Sequence, residues 1–214
     1  MHFDLMELHD ELVVQDYKDL LVLDGDWLVF KAMSAAEVET EWDSDVWTLE
    51  CDHKLAKEIL DEDIKSWVTR RARWKNAKVV LAFSDGRNWR KELVDPTYKQ
   101  NRKSVRKPVG YKAFLQKIMD GEDYMTVSEP MLEADDVIGI IASGKNKGKT
   151  EVRYVKEDRL YRTLWECILS VADKAGMSEK EVIQQGRLAR ILRFNEYDIE
   201  QGTIRLWIPA LSSL

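Results

Sequence analysis

The chain has 214 residues, 44% of them hydrophobic and 34% charged, enough to bury a core in one domain or in one domain with an appendage. No apolar run approaches bilayer-spanning length, and the opening MHFDLMELHDELVVQDYKD is too acidic for a signal peptide, so a cytoplasmic protein with no membrane association is expected. A net charge of −6 argues against a uniformly basic nucleic-acid binder, and the isolated Cys51 and Cys167 exclude a disulfide framework and a cysteine-based zinc site.

Residues 4–18 have helical spacing, and LLVLDGDWLVF then reads as a buried strand closed by an Asp-Gly turn, with a helix beginning just after Asp26. Asp26 is expected to cap that helix, and Asp52 the next, which runs to about Trp74 through Leu55, Ile59 and Trp67. Cys51-Asp52-His53 offers three ligand types in a row, but adjacent residues rarely converge on one ion. KVVLAFSDG repeats the pattern of an apolar strand followed by Asp, GYKAFLQKIMDG reads as a helix with a terminal glycine, DYMTVSEP as a strand, and LEADDVIGIIAS as a helix. Strands alternating with helices predict an α/β fold, a largely parallel central sheet flanked by helices. After Ser143, GKNKGKT reads as a basic linker, which divides the chain into a core over 1–143, a linker over 144–150 and a C-terminal helical segment over 151–214. That segment holds two helices, in RLYRTLWECILSVADKAG and in SEKEVIQQGRLARILRF, the second opened by the capping box Ser178-x-x-Glu181, and a closing hairpin centred on Gln-Gly.

Ligands of open α/β sheets collect at the carboxyl ends of the strands, where Asp24 and Asp85 directly follow two apolar runs. The EADD run adds Glu133, Asp135 and Asp136 at a helix start. Singly, each acid is equally a turn former, an N-cap or a partner of the helix dipole. Five together repel, and a hard divalent cation with oxygen ligands, Mg²⁺ or Mn²⁺, relieves that repulsion while activating water.

The charge is unevenly placed: from Arg87 to Lys117 there are ten Lys or Arg residues and two acids, Glu92 and Asp95. Within NWRKELVDPTYKQNRKSVRKPVGY, cations such as Lys91, Lys103, Arg106 and Lys107 suit phosphates, and Trp89, Tyr98 and Tyr111 suit exposed bases, which predicts salt-sensitive DNA binding. The plainer alternative is a solvated segment with its aromatics turned inward.

LVLDGDWLVFKAMS, LAFSDGRNWRKELVDPTYKQNRK and PMLEADDVIG resemble successive blocks of the flap-endonuclease and 5′→3′ exonuclease superfamily, most closely its T-seven-type phage exonucleases. Through TLWECI, KAGMSEKEVIQQG and ARILRFNEY the resemblance covers nearly the whole chain. It implies a PIN-like core in which Asp24, Asp85, Glu133, Asp135 and Asp136 bind metal, Lys99 and Arg102 grip the phosphate beside the cut, and Lys31 and Arg90 make supporting phosphate contacts. It also implies removal of nucleotides from 5′ ends of duplex DNA, with the RNA strand of RNA–DNA hybrids as a further substrate, in phage DNA replication or recombination within the host cytoplasm.

The family pattern continues past the EADD helix into a strand with an Asp-x-Asp pair, a further acid and a glycine-rich helical hairpin that binds duplex backbone. Here Ser143 leads almost directly to GKNKGKT, so an internal block is missing. The remaining five acids suffice for one ion, and the missing ones would hold a second. Glu157 and Asp158 read as surface charge. Loss of a strand is expected to expose a sheet edge and to favour self-association. Three readings stay open: a Mg²⁺-dependent exonuclease, a catalytically impaired DNA-binding remnant, and a fragment that needs a second polypeptide for the missing block.

Overall fold

The computed structural model describes residues 1–15, 19–101, 105–144, 154–156, 159–161 and 164–209. Arg102, Lys103, linker residues 145–150, Glu157, Asp158 and the side chain of Cys167 lie outside the described residues.

Contacts divide the chain into two units, Met1–Arg87 with Lys99–Ile138, and Asn88–Tyr98 with Gly139–Leu214. The first is built on a four-stranded sheet of β1 (His2–Phe3), β2 (Leu20–Asp24), β5 (Lys78–Phe83) and β6 (Met125–Ser128), in the order β1-β6-β5-β2. All three pairings are parallel. Parallel neighbours need long crossovers, and these are α2 (Gly25–Ala36) and α3 (His53–Thr69) between β2 and β5, then α4 (Tyr111–Asp120) between β5 and β6. Val80, Leu81, Ala82 and Phe83 are fully buried, as expected of a central parallel strand with a continuous apolar run. Leu28, Val29 and Met33 of α2, Ala56 and Leu60 of α3, and Phe114 and Ile118 of α4 close the core against Leu81 and Phe83.

The three sheet strands expected from the sequence are present, and so is the α/β architecture. Asp52 caps α3 as expected, accepting from the N–H groups of Lys54 and Leu55. That helix ends at Thr69, short of Trp74, which closes a separate 3₁₀ turn. The helix after β2 begins two residues earlier than expected, at Gly25, and its cap is Asp24, not Asp26. A side chain at Gly25 would fall 2.5 Å from the Phe83 ring, so glycine lets the start of α2 approach β5.

Three further elements were not expected. The stretch after α2 forms a hairpin of β3 (Glu37–Asp43) and β4 (Val46–Cys51). Residues 2–3 form β1 on the side of β6 away from β5, where His2 Nδ1 meets Thr126 Oγ1 at 2.9 Å, so a strand covers that side of β6. In the second unit, Arg159–Tyr161, read as the start of a helix, instead forms β8 and pairs with β7 (Tyr154–Lys156), and the helix α6 runs over Leu164–Lys174.

Helix α5 (Ala134–Gly144) follows β6 in the chain, and the division of the two units falls within it, after Ile138. Helix α7 (Glu179–Ala189) carries the expected capping box, with Ser178 Oγ accepting from Glu181 N–H at 3.3 Å and Ser178 N–H donating to Glu181 Oε2 at 2.8 Å. The hairpin at Gln-Gly is β9 (Tyr197–Asp198) with β10 (Thr203–Ile204), and Gly202 has φ 62°. No helix among the described residues is long and apolar enough to cross a membrane.

Candidate active site

Because β2, β5 and β6 run parallel, their carboxyl ends share one edge of the first unit, and the acids singled out in the sequence sit there. Asp24 ends β2, and its Oδ1 accepts from the Trp27 N–H at 3.0 Å. Burial raises its pKa, the Trp27 N–H opposes this, and the charges of Asp26 and Asp135 raise it further. Asp24 and Asp135, 111 positions apart in the chain, therefore feel one another across the edge. Asp85 lies two residues past β5, and its Oδ2 accepts from the N–H groups of Met131 at 2.8 Å and Arg87 at 3.3 Å. Burial pushes its pKa up, but the backbone N–H groups of Met131, Gly86 and Arg87 outweigh that and hold it below the ordinary carboxylate value.

Glu133 and Asp136 open α5. Asp136 is fully buried, and its Oδ2 reaches back to the Glu133 N–H at 3.3 Å, half of a capping box. Lys99 Nζ donates to Glu133 Oε1, bringing one expected phosphate-gripping cation directly onto one expected metal carboxylate. Asp135 is exposed.

Asp26, expected only as a helix cap or a further ligand, and Ser84, given no role by the sequence, tie this edge together. Asp26 Oδ2 accepts from the Ser84 N–H at 2.9 Å, and Ser84 Oγ accepts from the Ala134 N–H at 3.0 Å, so the ends of β2 and β5 and the start of α5 are bonded in sequence. The signal was present in the spacing of D-G-D and S-D, each pairing a predicted site acid with a second polar group within two residues.

An all-oxygen donor set under mutual repulsion suits Mg²⁺ or Mn²⁺. As the side chains stand, however, no group of three or more Asp, Glu, His or Cys among the described residues is arranged to hold an ion. The carboxylates share an edge and are bonded to N–H groups and a lysine, not preassembled into a chelate.

The expected DNA-contacting residues are scattered. Lys31, on α2, is engaged by Asp63 of α3, at 2.7 and 2.8 Å to the two carboxylate oxygens. Arg106 donates to Glu37 Oε2 at 3.0 Å, and Lys107 lies 4.4 Å from the centre of the Tyr111 ring. Lys91, exposed, and Tyr98, half-buried, belong to the second unit. For two aromatics the inward-turned alternative holds, and one expected phosphate contact, Arg90, needs correction. Trp89 and Tyr111 are buried and so not presented to bases, because their rings fill core positions. Arg90 is only 3% exposed: its Nε donates to the Leu188 carbonyl at 3.1 Å, its Nη2 to that of Arg190, and its guanidinium stacks on Trp89. It satisfies the carboxyl end of α7, where helix carbonyls lack internal partners, and is not presented to a phosphate.

A family model described as the 5′-3′ exonuclease N-terminal resolvase-like domain matches residues 19–189. Two phage proteins are similar along almost their whole length. The exonuclease of Escherichia phage T7 is 37% identical, over 96% of this chain and 99% of its own. The exodeoxyribonuclease of Enterobacteria phage T3 is 36% identical, over 96% and 98%. Both alignments span 296 positions against 214 residues here, so both relatives carry residues without counterpart in this chain. No solved structure matches significantly.

Proposed function

The chain belongs to the 5′-3′ exonuclease family, and from that premise we propose that it is a Mg²⁺- or Mn²⁺-dependent nuclease that removes nucleotides from the 5′ ends of duplex DNA. What supports the reading is the placement of Asp24 at the end of β2, of Asp85 two residues past β5, and of Glu133, Asp135 and Asp136 around the start of α5, which Ser84 and Asp26 tie to the same edge of the parallel sheet. Those five acids would hold the cation, and a bound divalent ion neutralises charge that develops on phosphate oxygens and makes water more acidic. Lys99 and Arg102 would hold the phosphate beside the cut, and Lys31, Lys91, Lys103, Arg106, Lys107 and Tyr98 would follow the backbone. We place this activity in phage DNA replication or recombination in the host cytoplasm, with the RNA strand of RNA–DNA hybrids as a second substrate.

The test is release of label from a 5′-labelled duplex in Mg²⁺ or Mn²⁺ by the protein and by Asp135→Ala. The variant is exposed at that position and should fold normally, yet lose at least about 100-fold in rate, the scale expected when a catalytic electrostatic partner is removed. Equal release by both overturns the reading. A second reading, the catalytically impaired DNA-binding remnant, is favoured by the lack of a ready three-carboxylate group among the described residues and by the residues that the relatives carry in addition. It predicts salt-sensitive DNA binding without cleavage, unchanged by Asp135→Ala. Activity that appears only on mixing with a polypeptide that carries the missing block would identify a fragment of a two-part enzyme.

A further inference from the structure

Among the described residues, two that are not glycine have positive φ, Lys99 at 55° and Met131 at 68°. Both bond a carboxylate of the proposed metal edge: Lys99 through its ammonium to Glu133, Met131 through its backbone N–H to Asp85. Left-handed backbone is unfavourable for side chains with a Cβ, and such strain persists only where the surroundings enforce it.

The enforcement at Met131 is visible. Leu132 N–H donates to the Glu129 carbonyl at 3.1 Å, closing a four-residue turn with Pro130 second and Met131 third. Proline second and positive φ third is the type II arrangement, whose third position favours glycine or asparagine. The turn is anchored at its start, where the buried Glu129 carboxylate accepts from the Leu5 N–H at 3.0 Å. The φ of Met131 sets the angle between its own N–H and the peptide planes that follow. In the left-handed form the Met131 N–H donates to Asp85 Oδ2 at 2.8 Å, while the Leu132 carbonyl accepts from the Asp85 N–H at 2.9 Å. Asp85 is thus held by side chain and main chain to one strained turn.

We propose that Met131 is a positioning residue: its left-handed backbone aims the Asp85 carboxylate for cation binding. The inference rests on the reading of Asp85 as a metal carboxylate. A residue that resists positive φ should break one bond of the pair and let Asp85 turn, whereas glycine should keep both.

The test is Mn²⁺ binding without DNA, read from the paramagnetic resonance of free Mn²⁺, for the protein, Asp85→Asn, and Met131→Gly, Met131→Ala and Met131→Val, each melted to confirm a cooperative fold. Met131→Gly should bind within about twofold of the parent and Met131→Val about tenfold more weakly, the scale of one charge-assisted hydrogen bond. Met131→Ala should fall between, and it carries the comparison should Met131→Val not fold. Rescue by glycine separates positioning from loss of side-chain packing, because glycine removes more of the side chain than alanine or valine. Folded Ala and Val variants that bind as the parent does, while Asp85→Asn binds weakly, overturn the inference and leave the metal reading standing. Asp85→Asn binding as the parent does removes the metal reading, and the inference with it.

Discussion

Replacing Arg90 with Met tests whether the basic strip is a surface at all. The guanidinium makes two charge-assisted bonds to carbonyls near the end of α7, to Leu188 and Arg190, and lies 4.5 Å from the Trp89 ring centre. Hydrogen bonds to charged groups contribute about 1.5–3 kcal/mol each, and stacking on an aromatic adds about 0.5–2 kcal/mol, while the cost of burying the cation offsets part of this. Methionine restores the apolar stem but leaves both carbonyls without that donor, so a net loss of about 3 kcal/mol is expected. For a chain of this length that is a fall of roughly 6–12 °C in Tm. Calorimetry and a salt titration of DNA binding should be run on the same preparation. A structural Arg90 gives a large drop in Tm with the slope of log affinity against log salt unchanged. An unchanged Tm with a slope shallower by about one phosphate contact would mean that Arg90 faces the backbone, and would refute the burial argument.

Gly139→Ala should destabilise the second unit by about 2 kcal/mol, because a Cβ there would fall 2.5 Å from the Leu192 carbonyl oxygen and 2.6 Å from Ile191 Cγ2; denaturant titration measures it, and an unchanged midpoint contradicts the packing. The Glu37 pKa is held below its ordinary value by Arg106 and by the Val109 N–H, so its contribution is present above the unfolded carboxyl pKa and is lost as pH falls through the folded one. Tm curves of the protein and Glu37→Gln should accordingly differ at pH 7 and converge only as pH falls below the ordinary glutamate range, and curves that stay parallel would show that the ion pair does not contribute. Mn²⁺ titration should saturate at one ion per chain, since the five acids suffice for one site; two tight equivalents would show that the missing block is dispensable for the second.

What could be read from the sequence was what depends on neighbours within one or two turns. The apolar runs LLVL and KVVLAF gave strands because buried parallel strands need no polar face, and Asp52 and Ser178-x-x-Glu181 gave caps because capping is decided within four residues. The β3–β4 hairpin was missed although E-V-E-T-E-W-D alternates with period two. From Glu41 to Glu50 every residue is exposed, so no buried face marks the ribbon, and its acids read as a charged surface. Arg90 was misread for the opposite reason: its partners stand 98 and 100 residues away, and no local pattern reveals that a helix end needs a donor from elsewhere. The cap was assigned to Asp26 and falls to Asp24, since two acids flanking one glycine both suit a cap and only the approach of Ser84 decides between them.

At the site, structural and functional readings of the same acids do not compete. Asp24 caps a helix, Asp26 braces a strand end, Asp85 ties down a turn and Asp136 bonds the opening of α5. An ionised carboxylate offers about four acceptor positions, and each of these bonds uses one. The bonds that make each acid look structural also fix its orientation, which is what a cation site requires of its ligands. They also explain why so much negative charge is tolerated at one edge: backbone N–H groups and the Lys99 ammonium stabilise it residue by residue. At Asp24, burial and the charges of Asp26 and Asp135 raise the proton affinity despite the Trp27 N–H. A divalent cation beside Asp24 and the exposed Asp135 would relieve that repulsion.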